Sequence, residues 1–185
     1  MTRWRSSGQG YGIIAQAFHW LTAVLVVVQI GVGLYAASLP VSLARLIWLS
    51  RHKSLGIAIL GLVLLRLAWR AFDRPPALPD RMPRWERRAA LANHWALYVL
   101  LALAPLAGWA SASAAGLSVN WFGFFPVPDL VAKSPSLADV FKVLHGALVA
   151  ALALLLAVHV GAAARHALLR DGIAQRMLPW AGKRP

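Results

Sequence analysis

The sequence predicts an all-α membrane protein, four transmembrane helices running up and down in one bundle. Three observations carry this. The chain has 185 residues, 59% of them hydrophobic and only 14% charged, which is too apolar for an ordinary soluble domain. It holds four apolar runs, each approaching the roughly 20 residues that cross a bilayer as a helix. Its basic residues gather on one side of the topology those runs define.

The runs cover residues 18–39, 52–69, 91–112 and 144–169. In lipid each must be a helix, because only a helix satisfies its backbone from within one segment. Membrane barrel strands would alternate over about ten residues, and these runs do not alternate. The first run is longer than a signal-peptide core and contains His19 and Gln29, so it reads as a permanent helix despite the small residues of "LYAAS". Residues 1–185 read as a single domain with no linker and no internal repeat. The connection 71–90 carries four prolines, which forbid regular helix over its first half. The longest connection, 113–140, contains "NWFGFFPVPD", an aromatic cluster suited to the headgroup layer.

A net charge of +13 first raises nucleic acid as a partner. The distribution argues against it. Fourteen of the nineteen Lys and Arg lie in three places, Arg3 with Arg5, the stretch from Arg66 to Arg88, and the tail from Arg165 onward. Those places share one side of an up-down bundle. The other side holds only Arg45, Arg51, Lys53, Lys133 and Lys142. This is the positive-inside pattern, which puts both termini in the cytoplasm and leaves membrane lipid as the partner of the basic excess. The five outer cations either anchor helix ends at headgroups or form a basic surface that gathers a small anion.

There is no cysteine, and the three methionines lie outside the spans. Disulfides, iron–sulfur clusters and thioether-linked haem are therefore excluded. Histidine is the obvious ligand for any metal in the bundle. The six are His19, His52, His94, His145, His159 and His166, all in or at the ends of the predicted helices. A lone membrane histidine is usually a packed imidazole bonded to a carbonyl or water. Six need a joint account, because unpaired polar groups in hydrocarbon are costly.

Depth supplies that account. His52 begins the second run and His145 the fourth, both near the outer surface. His159 lies fourteen residues after His145 in "LHGALVAALALLLAVH", a drop of roughly 21 Å and close to four turns. One helix face thus presents two imidazoles, one per leaflet. The lower one reaches the level of His19 and His94, and the residues alone leave both as its partner. All six acids lie in loops or at helix ends, so neither a zinc site nor a carboxylate proton relay is well supplied. Paired histidines facing each other in a bundle suit haem, and two b-type haems stacked across the membrane is the economical reading. The glycines of the spans serve either close helix packing or clearance for a flat ligand. Gly56, one turn from His52, and Gly146, beside His145, are placed for clearance.

The sequence resembles the bacterial cytochrome b561 family of four-helix, di-haem membrane proteins. The resemblance covers nearly the whole chain. It shows in "AFHWL", "RHKSLGI", "NHWALYVLLALAPLAGW" with its P-x-x-G at Pro105 and Gly108, "NWFGF", "HGALVAALALLLAVHVGAAARH" and "QRMLP". It implies that His52 and His145 hold an outer haem and His19 and His159 an inner one, in a bacterial inner membrane. It further implies electron exchange with quinone, with superoxide as periplasmic donor and ubiquinone as acceptor, an oxidoreductase activity. A quinone site is then expected near His166, two turns beyond His159, with His94 and Asn93 as lesser candidates. The same four-histidine plan serves cytochrome b subunits that anchor a partner dehydrogenase or hydrogenase. That is the second expectation, alongside a homo-oligomer. A third is a non-redox transporter using intramembrane histidines, which a purified protein without haem colour would favour.

Overall fold

The computed structural model describes residues 4–8, 10–79 and 82–178. Arg3, Asp80, Arg81, Pro179, Lys183 and Arg184 lie outside them. Four long helices form the molecule: α1 (Ile13–Ser38), α2 (Leu43–Phe72), α3 (Arg84–Ala114) and α4 (Pro135–Leu169). Each is long and apolar enough to cross a membrane. α1 packs on α2 and α3 on α4 most extensively, and α2 joins the two pairs through α3. The outward faces are apolar and bare, with Val27 70% and Leu154 66% exposed. Such surface needs lipid. This is a multi-pass membrane protein.

The helices run further than the apolar runs. α1 starts at Ile13 and not near residue 18, α3 at Arg84 and not near 91, α2 at Leu43 and not His52, α4 at Pro135 and not near 144. The added turns have their own local causes. The Ser42 hydroxyl accepts from the Arg45 amide at the start of α2, and Ser134 does the same for Leu137 before Pro135 opens α4. His52 and His145 therefore do not begin helices. They sit nine and ten residues inside them, so both are lowered by nearly the same amount and remain at matched depth.

The connection between α3 and α4 is shorter than its sequence implied and is partly ordered as a hairpin. β1 (Asn120–Trp121) pairs antiparallel with β2 (Phe125–Pro126). Phe122 and Gly123 make the turn with φ of 48° and 83°, and glycine at the second position removes the usual cost of that conformation. Ser54 of α2, 1% exposed, pins the hairpin by accepting from the Phe122 amide and donating to the Asn120 carbonyl. The hairpin thereby lies over the His52 end of the bundle.

At the opposite end the two termini are knitted together. Tyr11 N–H donates to the Arg176 carbonyl at 3.2 Å, and the Trp20 indole donates to Met177 at 2.9 Å. A short 3-10 turn, Ala174–Met177, carries these acceptors. Ser6 donates its amide and its hydroxyl to the buried Asp73 carboxylate, which follows the end of α2. Between the two ends lies an apolar core, with the buried Tyr98 at its edge and the Thr22 hydroxyl turned back onto the Phe18 carbonyl. Val26, Ile59, Val63, Leu97, Leu101 and Leu152 meet there. Leu152 lies midway between His145 and His159 in the chain, so the core is a plug between two histidine levels.

Replacing Ser6 with Ala should cost about 1–3 kcal/mol, because the Asp73 carboxylate loses its hydroxyl donor while buried. Thermal unfolding of the detergent-purified protein checks this. An unchanged midpoint would mean that the N-terminal strap adds nothing to stability.

Candidate functional site

The structure brings the predicted histidines together at two levels. Toward the hairpin end, the rings of His52 and His145 lie 6.1 Å apart between centroids. Toward the termini, His159 faces two rings, His19 at 6.2 Å and His94 at 5.3 Å. All five are half-buried. Two imidazoles sharing one iron, with metal–nitrogen bonds of about 2.0 Å and about 1.1 Å from each nitrogen to its ring centre, would have centroids roughly 6.2 Å apart. Two pairs match that spacing, His52–His145 and His19–His159. His94–His159 is about an ångström too close.

The hairpin-end pair is held by one backbone carbonyl and one side-chain amide. His145 Nδ1 lies 2.8 Å from the Ala104 carbonyl. Since that carbonyl can only accept, Nδ1 carries the proton and Nε2 keeps its lone pair for a metal. The Gln29 amide donates to the His52 carbonyl at 2.9 Å. Among the described residues, His52 Nδ1 and Gln29 Oε1 are buried with no partner. Two glycines make room for the rings. A Cβ on Gly33 would stand 2.8 Å from His52 Cε1, and one on Gly108 would stand 3.1 Å from His145 Cε1. These are not the glycines expected to give clearance. Gly146 faces open space and Gly56 backs onto the Gln29 amide.

The termini-end level is held by side chains. Arg66 places NH2 3.0 Å from His19 Nδ1. A guanidinium can only donate, so His19 Nδ1 accepts there. Tyr11 sits beside this cluster, where burial pushes its hydroxyl above the ordinary value and Arg70 is the chief opposing charge.

His166 is buried, 9% exposed. Its Nδ1 lies 2.6 Å from Asp171 and its Nε2 3.5 Å from Glu86, which Arg165 pairs with at 2.8 Å. Asn93, next to His94, keeps a buried Oδ1 without a partner among the described residues. The outer cations are split. Arg51, Lys133 and Lys142 are exposed, whereas Lys53 is turned in to donate to the Leu117 carbonyl.

The sequence has counterparts among known proteins. A family profile described as prokaryotic cytochrome b561 matches residues 10–180. The chain belongs to the cytochrome b561 family. Membership implies haem b binding and electron transfer in a membrane. "Cytochrome b561 homolog 2" of Escherichia coli (strain K12) is 34% identical over 174 residues, 91% of this chain and 90% of that protein. "Cytochrome b561 homolog 1" of the same strain is 27% identical, over 87% of this chain and 92% of that protein. "Probable superoxide oxidase CybB" of Yersinia pestis is 29% identical, over 91% of this chain and 96% of that protein.

Several residues of this b561 site were not read from the sequence. Gln29 looked like an isolated polar residue, and Glu86 and Asp171 like loop or end charges. The P-x-x-G of α3 carried a signal whose meaning is structural. It puts the Ala104 carbonyl and the bare Gly108 against His145.

Substituting Gly33 or Gly108 with Leu should drive the facing imidazole out of place. Haem b content per chain is expected to fall by up to half while far-UV circular dichroism stays helical. Full haem content in both variants would mean that the two ring positions are not needed to bind haem.

Proposed function

We propose that this protein is a di-haem electron carrier of the bacterial inner membrane, with superoxide as donor at the hairpin end and ubiquinone as acceptor at the termini end. The observation that carries it is the pair of histidine levels, 6.1 Å and 6.2 Å between rings, reached from one helix by residues fourteen apart. In this reading His52 with His145 would hold one haem and His19 with His159 the other. Haem, when bound, supplies one-electron exchange at iron. The termini are cytoplasmic, because most basic residues lie at their end.

Overall, two superoxide anions each give up one electron and become dioxygen. One ubiquinone takes both electrons and two protons and becomes ubiquinol. The chain's own residues handle charge and protons at each end. Arg51, Lys133 and Lys142 give the hairpin end an exposed positive surface, which concentrates a small anion. At the other end His166 donates a hydrogen bond to a quinone oxygen and passes it a proton. Asp171, partly open to water and 2.6 Å from Nδ1, returns one to the ring. The relative from Yersinia pestis, named as a probable superoxide oxidase, supports the donor.

Rapid mixing with superoxide, following haem absorbance and quinone together, tests the proposal. Haem should be reduced first and quinone afterwards. Haem that stays oxidised removes superoxide as donor and favours the subunit of a larger dehydrogenase. The superoxide rate should fall between about 0.01 and 0.15 M salt, as the screening length shrinks from about 30 to 8 Å. A salt-independent rate would reduce the outer cations to headgroup anchors.

His145→Ala and His19→Ala should each lose one haem of two, and His94→Ala none, read by pyridine haemochrome assay. Loss on His94→Ala with retention on His19→Ala would exchange their roles. His166→Ala should keep both haems and slow quinone reduction. Unchanged kinetics would move quinone to the apolar groove of about 470 Å³ that Ile57, Gly61, Leu65, Trp121 and Phe125 line beside the hairpin.

A further inference from the structure

Arg66 and Arg70 lie one turn apart on α2, inside the span and at the His19–His159 level or just beyond it. Arg66 contacts the His19 ring and lies 5.2 Å from the centroid of Tyr98, which is buried. Arg70 lies 5.5 Å from the Trp95 ring and 5.7 Å from Tyr98. Among the described residues neither guanidinium has a carboxylate partner. The acids at this end are engaged elsewhere. Asp73 accepts from Ser6, Glu86 pairs with Arg165, and Asp171 holds His166. Aromatic faces and a neutral imidazole compensate a desolvated cation only in part. Two adjacent guanidiniums at the end of a hydrocarbon span, with five N–H donors each, make a receptor for carboxylate.

We propose that Arg66 and Arg70 form the carboxylate-binding site that takes the propionates of the haem held by His19 and His159. The proposal rests on the reading that a haem lies at that level. His19 gives a second, independent reason for it. Iron ligation through Nε2 requires the proton to sit on Nδ1, and an Nδ1 that accepts from Arg66 cannot carry one. The two uses of His19 exclude each other, so Arg66 must exchange the imidazole for another acceptor. A propionate is an anionic acceptor that arrives with the haem itself. The same movement pairs the cation and frees His19 for the metal.

The test compares iron protoporphyrin with its dimethyl ester, which lacks the two carboxylates, in the wild-type protein and in Arg66→Gln, Arg66→Lys and Arg70→Gln. The readout is the rate of haem loss to excess apomyoglobin from the full-length protein in detergent. Arg66→Gln and Arg70→Gln are each expected to speed release of half the bound iron protoporphyrin about tenfold and to leave release of the ester unchanged. Arg66→Lys should recover most of the retention. Equal acceleration for acid and ester overturns the proposal, because the arginines would then act only through the protein. Arg70→Gln touches no histidine, so it decides the matter if Arg66→Gln fails to load haem. A wild-type chain whose haem content does not change on His19→Ala or His159→Ala contradicts the reading of a haem at that level, and this site with it. Two haems whose release ignores both arginines contradict this site alone.

Discussion

Two imidazoles on one face of an otherwise apolar helix impose the order on this bundle. From Leu144 to Val158, α4 offers lipid and neighbours nothing polar but His145, and His159 follows four turns below it. Each ring needs a partner that hydrocarbon does not provide. The other helices are arranged to supply one at each level, His52 from α2 above, His19 from α1 and His94 from α3 below. The apolar plug around Leu152 keeps the levels apart.

The levels are built by different means. At the hairpin end the His145 ring is held by a backbone carbonyl, that of Ala104, and bare glycines at 33 and 108 face the two rings, while the Gln29 and Ser54 side chains fix the His52 backbone and the hairpin. Backbone cannot rearrange cheaply, so the His145 ring is preorganised. At the termini end three imidazoles and the Arg66 side chain compete for one another. Side chains exchange partners without moving the helices. That end can therefore accommodate a ligand's charge.

Much of this was legible in the sequence. Apolar run length gave four spans, and the fourteen-residue spacing placed His145 and His159 on one face. Helix ends were not legible from hydropathy, because the turns that begin with Ser42–Leu43 and Ser134–Pro135 are set by capping and not by lipid. The choice of clearing glycines also failed, since Gly146 faces open space and Gly56 is covered by Gln29. The glycines that matter, Gly33 and Gly108, each face a histidine ring from the neighbouring helix. Only tertiary packing reveals such pairs. The same holds for Glu86 and Asp171, which converge on His166 from two segments.

The central claim is that the two levels hold one bis-histidine haem each. Low-temperature electron paramagnetic resonance of the oxidised protein, with spins counted against chain concentration, tests it most directly. The account predicts two low-spin ferric signals that integrate to two spins per chain. A single spin per chain, or a high-spin signal from an iron with only one histidine, would contradict it.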